Sequence, residues 1–229
     1  MTFTRYALYF APPTGADWTK FGASWLGWDM ETGTQVAHPL LDDLPVAEIT
    51  DTPRKYGLHG TMKPPFRLAE GQTVEALKQA CAVLATSTAQ VHLEGLELAQ
   101  LGKFLALRPT GDIAPLGALA AECVRGLDRF RAPAPQAELD KRRAKGLSPA
   151  QEANLVQWGY PYVMESFKFH ITLTGRLDKS LLAHVLTTLD TYLTPVLPKP
   201  FEINDMALMG EDSKGRFHLI QRYPLTGAS

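Results

Sequence analysis

The stretch ESFKFHITLTGRL, residues 165–177, is the most informative for the fold because its apolar and polar side chains alternate. Alternation with a period of two is typical of a β-strand that buries one face. The apolar face would carry Phe167, Phe169, Ile171 and Leu173, and the polar face Lys168, His170, Thr172 and Thr174. The pattern therefore predicts a strand with a polar stripe that contains a His-x-Thr motif.

A second stretch, KYGLHGTMKPPFRL at residues 55–68, repeats this alternation over a shorter run. Its polar face would carry His59, Thr61 and Lys63, whereas Tyr56 falls on the opposite face and is expected to pack. The two His-x-Thr motifs lie about half a chain apart, as two similar lobes require.

The same order of elements follows each motif. Apolar spacing and turn residues predict a helix and then a two-stranded hairpin. After the first motif these are a helix at 73–86 capped by Thr73, strands at 91–100 and 103–110, and a further helix at 112–130. After the second they are a helix at 179–192 and strands at 201–212 and 215–225.

The remaining segments frame these two units. A strand at 4–10, a helix near 16–27 and a loop at 38–53 precede the first motif. Residues 131–162 are expected to form a helical connector, since Ser148, Pro149 and Gln151 make a capping box. Gly159 would end that helix.

Composition narrows the class of protein. The 229 residues carry 23 Lys and Arg against 24 Asp and Glu, so the net charge is −1. Near-neutral charge argues against sequence-independent binding to a nucleic-acid backbone. Cys81 and Cys123 are expected to be buried thiols in a reducing compartment, and no apolar run is long enough to span a membrane. The sequence thus predicts a cytoplasmic protein of α+β class.

Paired His-x-Thr motifs suit acid–base chemistry on a phosphate. Imidazole transfers protons near neutral pH, and the Thr hydroxyl can donate a hydrogen bond to a phosphoryl oxygen. Two such pairs supply a base, an acid and two oxyanion donors, a set that can open a cyclic phosphodiester without a metal. No metal-ligand spacing is found in the sequence, and neither a metal nor a cofactor is expected.

These motifs resemble the 2H phosphoesterase superfamily, which is named for two His-x-Thr/Ser motifs and includes 2′-5′ RNA ligase-like proteins and cyclic nucleotide phosphodiesterases. Longer motifs resemble, more narrowly, a bacterial family of phosphonate metabolism proteins (DUF1045) encoded near carbon–phosphorus lyase genes. They are PRKYGLHGTMKPPF (53–66), LVQWGYPYV (155–163) and FKFHITLTG (167–175). Where this chain has Gly60, we expect many relatives to carry a slightly larger residue, so that Gly60 would leave slack in the strand.

The resemblance implies one bilobal domain over residues 1–229. It would consist of two pseudo-symmetric lobes, each an antiparallel sheet with outer helices, around a central cleft. The approximate cores are 55–130 and 163–225, with the connector at 131–162. It also implies a catalytic quartet of His59, Thr61, His170 and Thr172, in which one histidine is the base and the other the acid.

Other residues near the motifs are candidates for substrate contact. Lys63 and Lys168 share the histidine faces, and Arg142 and Arg143 of the connector could close over the cleft and clamp a phosphate. Tyr160 and Tyr162 could form the wall of a base or sugar site.

The expected function is metal-independent opening of a cyclic phosphodiester in a small sugar phosphate or nucleotide, with a place in phosphonate catabolism. Two alternatives stay open. One is an enzyme for RNA ends with 2′,3′-cyclic or 2′-5′ linkages, and the other is a non-catalytic sensor of cyclic phosphates. The expected partner is a small phosphate ester. Nucleic acid is not expected as a partner, except for short RNA ends. The sequence leaves the oligomeric state open.

Overall fold

The computed structural model describes residues 2–41 and 43–228, in which helices pack on an antiparallel sheet. The strands are β1 (Arg5–Phe10), β2 (Trp28–Asp29), β3 (Thr34–Gln35), β4 (Gly60–Phe66), β5 (Val91–Leu93), β6 (Gly95–Leu101), β7 (Phe104–Thr110), β8 (Ile171–Thr172), β9 (Phe201–Ile203), β10 (Asp205–Glu211) and β11 (Phe217–Pro224). The helices are α1 (Asp17–Leu26), α2 (Val46–Ile49), α3 (Asp51–Arg54), α4 (Val74–Thr86), α5 (Ala114–Gly126), α6 (Gln136–Arg143), α7 (Pro149–Trp158) and α8 (Lys179–Tyr192). The predicted α+β class is confirmed.

Seven of these strands form one sheet in the order β11-β10-β1-β4-β8-β7-β6. The two motif strands, β4 and β8, are neighbours at its centre and pair through Gly60 and Ile171. The two sheets expected from the sequence are therefore two parts of a continuous sheet, joined where the motifs meet. This junction places both His-x-Thr motifs side by side.

Each hairpin lies on the side of the sheet that carries the motif strand of the other half. The β6–β7 hairpin, which follows the first motif, pairs with β8 of the second motif. The β10–β11 hairpin, which follows the second motif, pairs with β1, and β1 in turn pairs with β4. The order of elements along the chain does not predict this exchange.

The apolar core lies between the sheet and the helices on one of its faces. Helix α4 packs on β10 and β11, α5 on β4, and α8 on β6 and β7. Leu8 of β1 points into this core, whereas its neighbour Tyr9 points to the opposite face. That opposite face carries the motif histidines, because the ring of His59 stacks on Tyr9.

Local signals in the sequence account for several helix boundaries. The Thr73 hydroxyl accepts a hydrogen bond from the backbone N–H of Ala76 and begins α4. The predicted capping box between Ser148 and Gln151 is present at the start of α7, and Gly159, with φ of 72°, ends that helix.

Three local expectations are wrong. The strand predicted over residues 165–177 is limited to Ile171–Thr172, and Met164–Ser166 form a 3-10 turn. Residues 38–53, predicted as loop, contain the short helices α2 and α3, while residue 42 of that segment lies outside the described residues. The polar face of the second motif ends early, because Thr174 is buried. Its hydroxyl accepts a hydrogen bond from the Leu105 N–H at 3.0 Å and donates one to the Gly175 carbonyl at 2.9 Å. Over the described residues, no helix has the length and apolar character needed to cross a membrane.

Candidate active site

The four motif residues line one cleft that consists of two adjoining chambers, each about 330 Å³ in volume. The His170 chamber is also lined by Lys168 and Tyr162, and the His59 chamber by Thr172. Thr61, Pro64 and Tyr160 belong to both and form the boundary between them.

His59 is held on both sides of its ring. Its Nδ1 lies 3.0 Å from the Gly57 carbonyl oxygen, and its Nε2 lies 3.2 Å from the Thr61 hydroxyl. Gly57 has a φ of 71°, a conformation that favours glycine. The ring also stacks on Tyr9, with 4.0 Å between the centroids. These contacts fix the orientation of the imidazole.

His170 repeats the first of these contacts. Its Nδ1 lies 2.8 Å from the carbonyl oxygen of Lys168, again two residues earlier in the chain. An Nδ1–H that donates to a carbonyl leaves Nε2 as the proton-accepting nitrogen of a neutral imidazole. Both histidines are thus set up to exchange protons through Nε2.

Burial lowers the pKa of His59 to about 4 because desolvation disfavours the charged imidazolium. The hydrogen bond to the Gly57 carbonyl acts in the opposite direction, and positive charge on nearby His170 lowers the pKa further. At neutral pH His59 is therefore uncharged and able to accept a proton.

Lys63 does not lie on the histidine face, so the expectation of a phosphate contact there is wrong. Lys63 pairs with Leu8, whereas Thr61, two residues away, pairs with the next residue, Tyr9. This β-bulge breaks the alternation and turns Lys63 into the core. Its Nζ is buried, 3.0 Å from the Val124 carbonyl oxygen.

The charge of Lys63 is balanced inside the protein. Its Nζ lies 3.6 Å from Oδ1 of Asp128. Burial lowers the pKa of Lys63 to about 8, and the Asp128 carboxylate opposes that shift. The residue connects β4 to the end of α5 and lines neither chamber.

Of the two connector arginines expected to close over the cleft, only Arg142 lines it. The Arg142 guanidinium lines the His59 chamber and lies 4.6 Å from the ring centroid of Tyr160. Arg143 is directed towards α7, where its Nη2 lies 2.8 Å from Oε1 of Glu152, and it lines neither chamber.

Sequence reasoning missed three residues of the His59 chamber: Arg5, Tyr9 and Tyr56. Arg5 and Tyr9 lie on β1, which carries no motif, and only the pairing of β1 with β4 brings them to the site. Tyr56 precedes β4, so the alternation of that strand does not apply to it. Its ring lies 5.7 Å from that of His59.

The two cysteines do not line the cleft. Cys81 and Cys123 are buried in the core, and burial raises the pKa of each thiol to about 12. Within residues 2–41 and 43–228, no three His, Cys, Asp or Glu side chains are grouped so that they could hold a metal ion.

Comparison with solved structures finds proteins of similar size at low identity. E. coli LigT in complex with 3′-AMP is 14% identical, with a TM-score of 0.46 over 98% of this chain and 99% of LigT. TT0787 of Thermus thermophilus is also 14% identical, with a TM-score of 0.47 over 98% of this chain and 100% of TT0787.

Curated relatives are closer in sequence. A protein named ribose 1,5-bisphosphate phosphokinase PhnN from Janthinobacterium sp. (strain Marseille) is 36% identical over 99% of this chain and 52% of its own length. A protein of the same name from Laribacter hongkongensis (strain HLHK9) is 35% identical over 92% of this chain and 49% of its own length. The chain thus spans about half the length of the curated relatives it matches.

The family described as "Protein of unknown function (DUF1045)" matches residues 61–218, a segment that runs from Thr61 of the first motif through the whole of the second. This match covers well over half of the chain and agrees with the longer motifs noted in the sequence. The chain therefore belongs to the DUF1045 family.

Proposed function

We propose that the chain is a 2H-type phosphodiesterase that opens the cyclic phosphodiester of a small sugar phosphate or nucleotide without a metal ion. The observation that carries the proposal is the matched pair of histidines in one cleft. Each has its Nδ1 at a carbonyl oxygen two residues earlier, and each motif adds a threonine to the cleft lining.

In this proposal His59 is the general base. Its lowered pKa keeps Nε2 free to take a proton from water as the water oxygen attacks phosphorus. Protonated His170 gives its proton to the ring oxygen as the P–O bond breaks, which yields a phosphomonoester and a free hydroxyl. Proton exchange with solvent then restores both rings. Thr61 and Thr172 donate hydrogen bonds to the non-bridging oxygens, on which charge increases in the transition state.

The proposed substrate class is a cyclic ribose phosphate formed during phosphonate breakdown. Two features support it: the resemblance to phosphonate metabolism proteins, and the ribose bisphosphate named for the curated relatives. The sequence contains no GxxxxGK[ST] loop for nucleotide phosphates. We therefore assign to this chain a step on a related ribose phosphate rather than the phosphokinase activity in the relatives' name.

Phosphorus NMR with EDTA present tests this function directly. The panel contains ribose 1,2-cyclic phosphate, its 5-phosphorylated form, 2′,3′-cyclic nucleotides and a 2′-5′ dinucleotide. We expect loss of a cyclic phosphate resonance with the wild type, and no loss with His59→Ala or His170→Ala when both variants are folded. His92→Ala, at the exposed histidine of strand β5, is the matched control and should keep full activity.

The outcomes separate the alternatives. Turnover of only the 2′-5′ dinucleotide or of 2′,3′-cyclic ends would identify an RNA-end enzyme. Line broadening without conversion would identify a sensor. Turnover that survives both histidine substitutions would refute the proposed mechanism, and turnover that EDTA abolishes would refute its metal independence.

A further inference from the structure

Two arginines from distant parts of the sequence line the His59 chamber. Arg5 comes from β1 and Arg142 from α6, and both side chains are largely buried. Among the described residues, no Asp or Glu lines this chamber. An anion that enters it would therefore meet two guanidinium groups and no carboxylate in the walls.

Each arginine forms an ion pair with a carboxylate that does not line the chamber. Arg5 uses Nε and Nη2 to pair with Glu211, and this contact raises the pKa of Arg5. Nη2 of Arg142 lies 2.7 Å from Oε1 of Glu138. A guanidinium has five N–H donors, so each arginine keeps donors that its ion pair does not use. The ion pairs orient the cations without filling the space in front of them.

The proposed chemistry does not account for these two cations. Proton transfer and stabilisation of the reacting phosphoryl group are assigned to the four motif residues. A cyclic phosphodiester carries a single negative charge, whereas a phosphomonoester carries about −1.5 to −2 at pH 7. Two guanidiniums beside the reacting centre match the charge of a second phosphate and suit its bidentate recognition.

We infer that the His59 chamber binds a second phosphate of the substrate, through Arg5 and Arg142. The preferred substrate is then a sugar with both a cyclic phosphodiester, placed between the histidines, and a phosphomonoester on another carbon. This inference rests on the proposed function, because it assumes that the cyclic phosphate is the reacting group.

Kinetics on a matched pair of substrates test the inference. We expect the wild type to have a kcat/KM at least tenfold higher for 5-phosphorylated ribose 1,2-cyclic phosphate than for the form without the 5-phosphate. Arg5→Gln and Arg142→Gln should each lower kcat/KM at least tenfold for the phosphorylated substrate and less than threefold for the other. Arg67→Gln is the control, because Arg67 pairs with the same Glu138 but does not line the chamber.

Arg5→Gln leaves the largely buried Glu211 without its cation and could impair folding. The double variant Arg5→Gln/Glu211→Gln removes the whole ion pair and should fold and show the same selective loss. The inference would be overturned if the wild type had equal kcat/KM values for the two substrates, or if the folded variants lost kcat/KM equally on both. Turnover of either substrate would still support the proposed function.

A binding measurement separates the two proposals if the protein shows no turnover. If the wild type turns over neither substrate, the proposed function fails, and calorimetry with ribose 5-phosphate still probes the arginines. Binding that weakens at least tenfold in Arg142→Gln but not in Arg67→Gln would support a phosphate subsite. Equal binding by the wild type and both variants, or no binding by any of them, would exclude it.

Discussion

The ring of Phe169 lies over Gly60 so closely that a Cβ added to Gly60 would come within 2.2 Å of Cζ of the ring. Gly60 directly follows His59 of the first motif, and Phe169 directly precedes His170 of the second. The motif strands β4 and β8 pair at the centre of the sheet. The slack expected at Gly60 from the sequence is therefore absent, because an aromatic ring from the second motif fills that space. This contact packs the two motifs against each other.

Gly60→Ala is expected to destabilise the protein by about 1–3 kcal/mol, because the new methyl group overpacks against a buried ring. Urea unfolding would measure the change. Phe169→Leu in the same chain should recover part of the loss, since the smaller side chain makes room. An alanine variant as stable as the wild type, or additive losses in the double variant, would contradict this account of the junction.

Most of the fold and the core of the site follow from local patterns in the sequence. Thr73, Ser148 and Gly159 mark helix boundaries where they are predicted, because caps depend on a few adjacent residues. The two motif histidines line adjoining chambers, and their catalytic roles stay a prediction.

What the sequence does not predict depends on contacts between distant strands. Lys63 leaves the histidine face because of a β-bulge against β1, and alternation within a single strand contains no sign of it. Arg5 and Tyr9 reach the site only because β1 pairs with β4, so no motif marks them. The exchange of the two hairpins has the same origin, since strand order is decided by pairing and not by element order.

Lys63→Met tests the reassignment of Lys63 from substrate contact to core. The two side chains are similar in length, and Asp128 keeps its contact with Arg131 at 2.7 Å, so no buried carboxylate is left without a cation. Replacement of a buried ion pair by an apolar side chain is often neutral or stabilising. We expect kcat and KM to stay within about threefold of the wild type and the melting temperature not to fall. A KM raised tenfold or more, with kcat unchanged, would restore Lys63 as a phosphate contact.

The assignment of His59 as the base predicts a specific pH dependence. With a pKa of about 4, His59 stays unprotonated down to mildly acidic pH, so its protonation should not reduce kcat/KM above about pH 5. NMR titration of the imidazole Cε1–H would give the pKa of His59. A midpoint for His59 near 6.5 would remove the reason for assigning it as the base.

The same lowered pKa predicts how stability responds to acid. In the unfolded chain His59 takes up a proton near pH 6.5, whereas in the native state it does so only near pH 4. Below pH 6.5 the unfolded state therefore binds more protons, and the free energy of unfolding falls as the pH drops towards 4. At about 1.4 kcal/mol per pH unit, the part due to His59 amounts to about 3.5 kcal/mol at most.

Comparison with His59→Gln isolates this contribution from that of the carboxylates, which titrate in both proteins. The wild type should lose more stability than the variant between pH 6.5 and pH 4.5, and the difference between them should be constant above pH 7. His92→Gln, a substitution at an exposed histidine, is the control for the exchange of His for Gln itself. Parallel curves for wild type and His59→Gln in denaturant unfolding would mean that the pKa of His59 is the same in the native and unfolded states. The lowered pKa that supports its assignment as the base would then be absent.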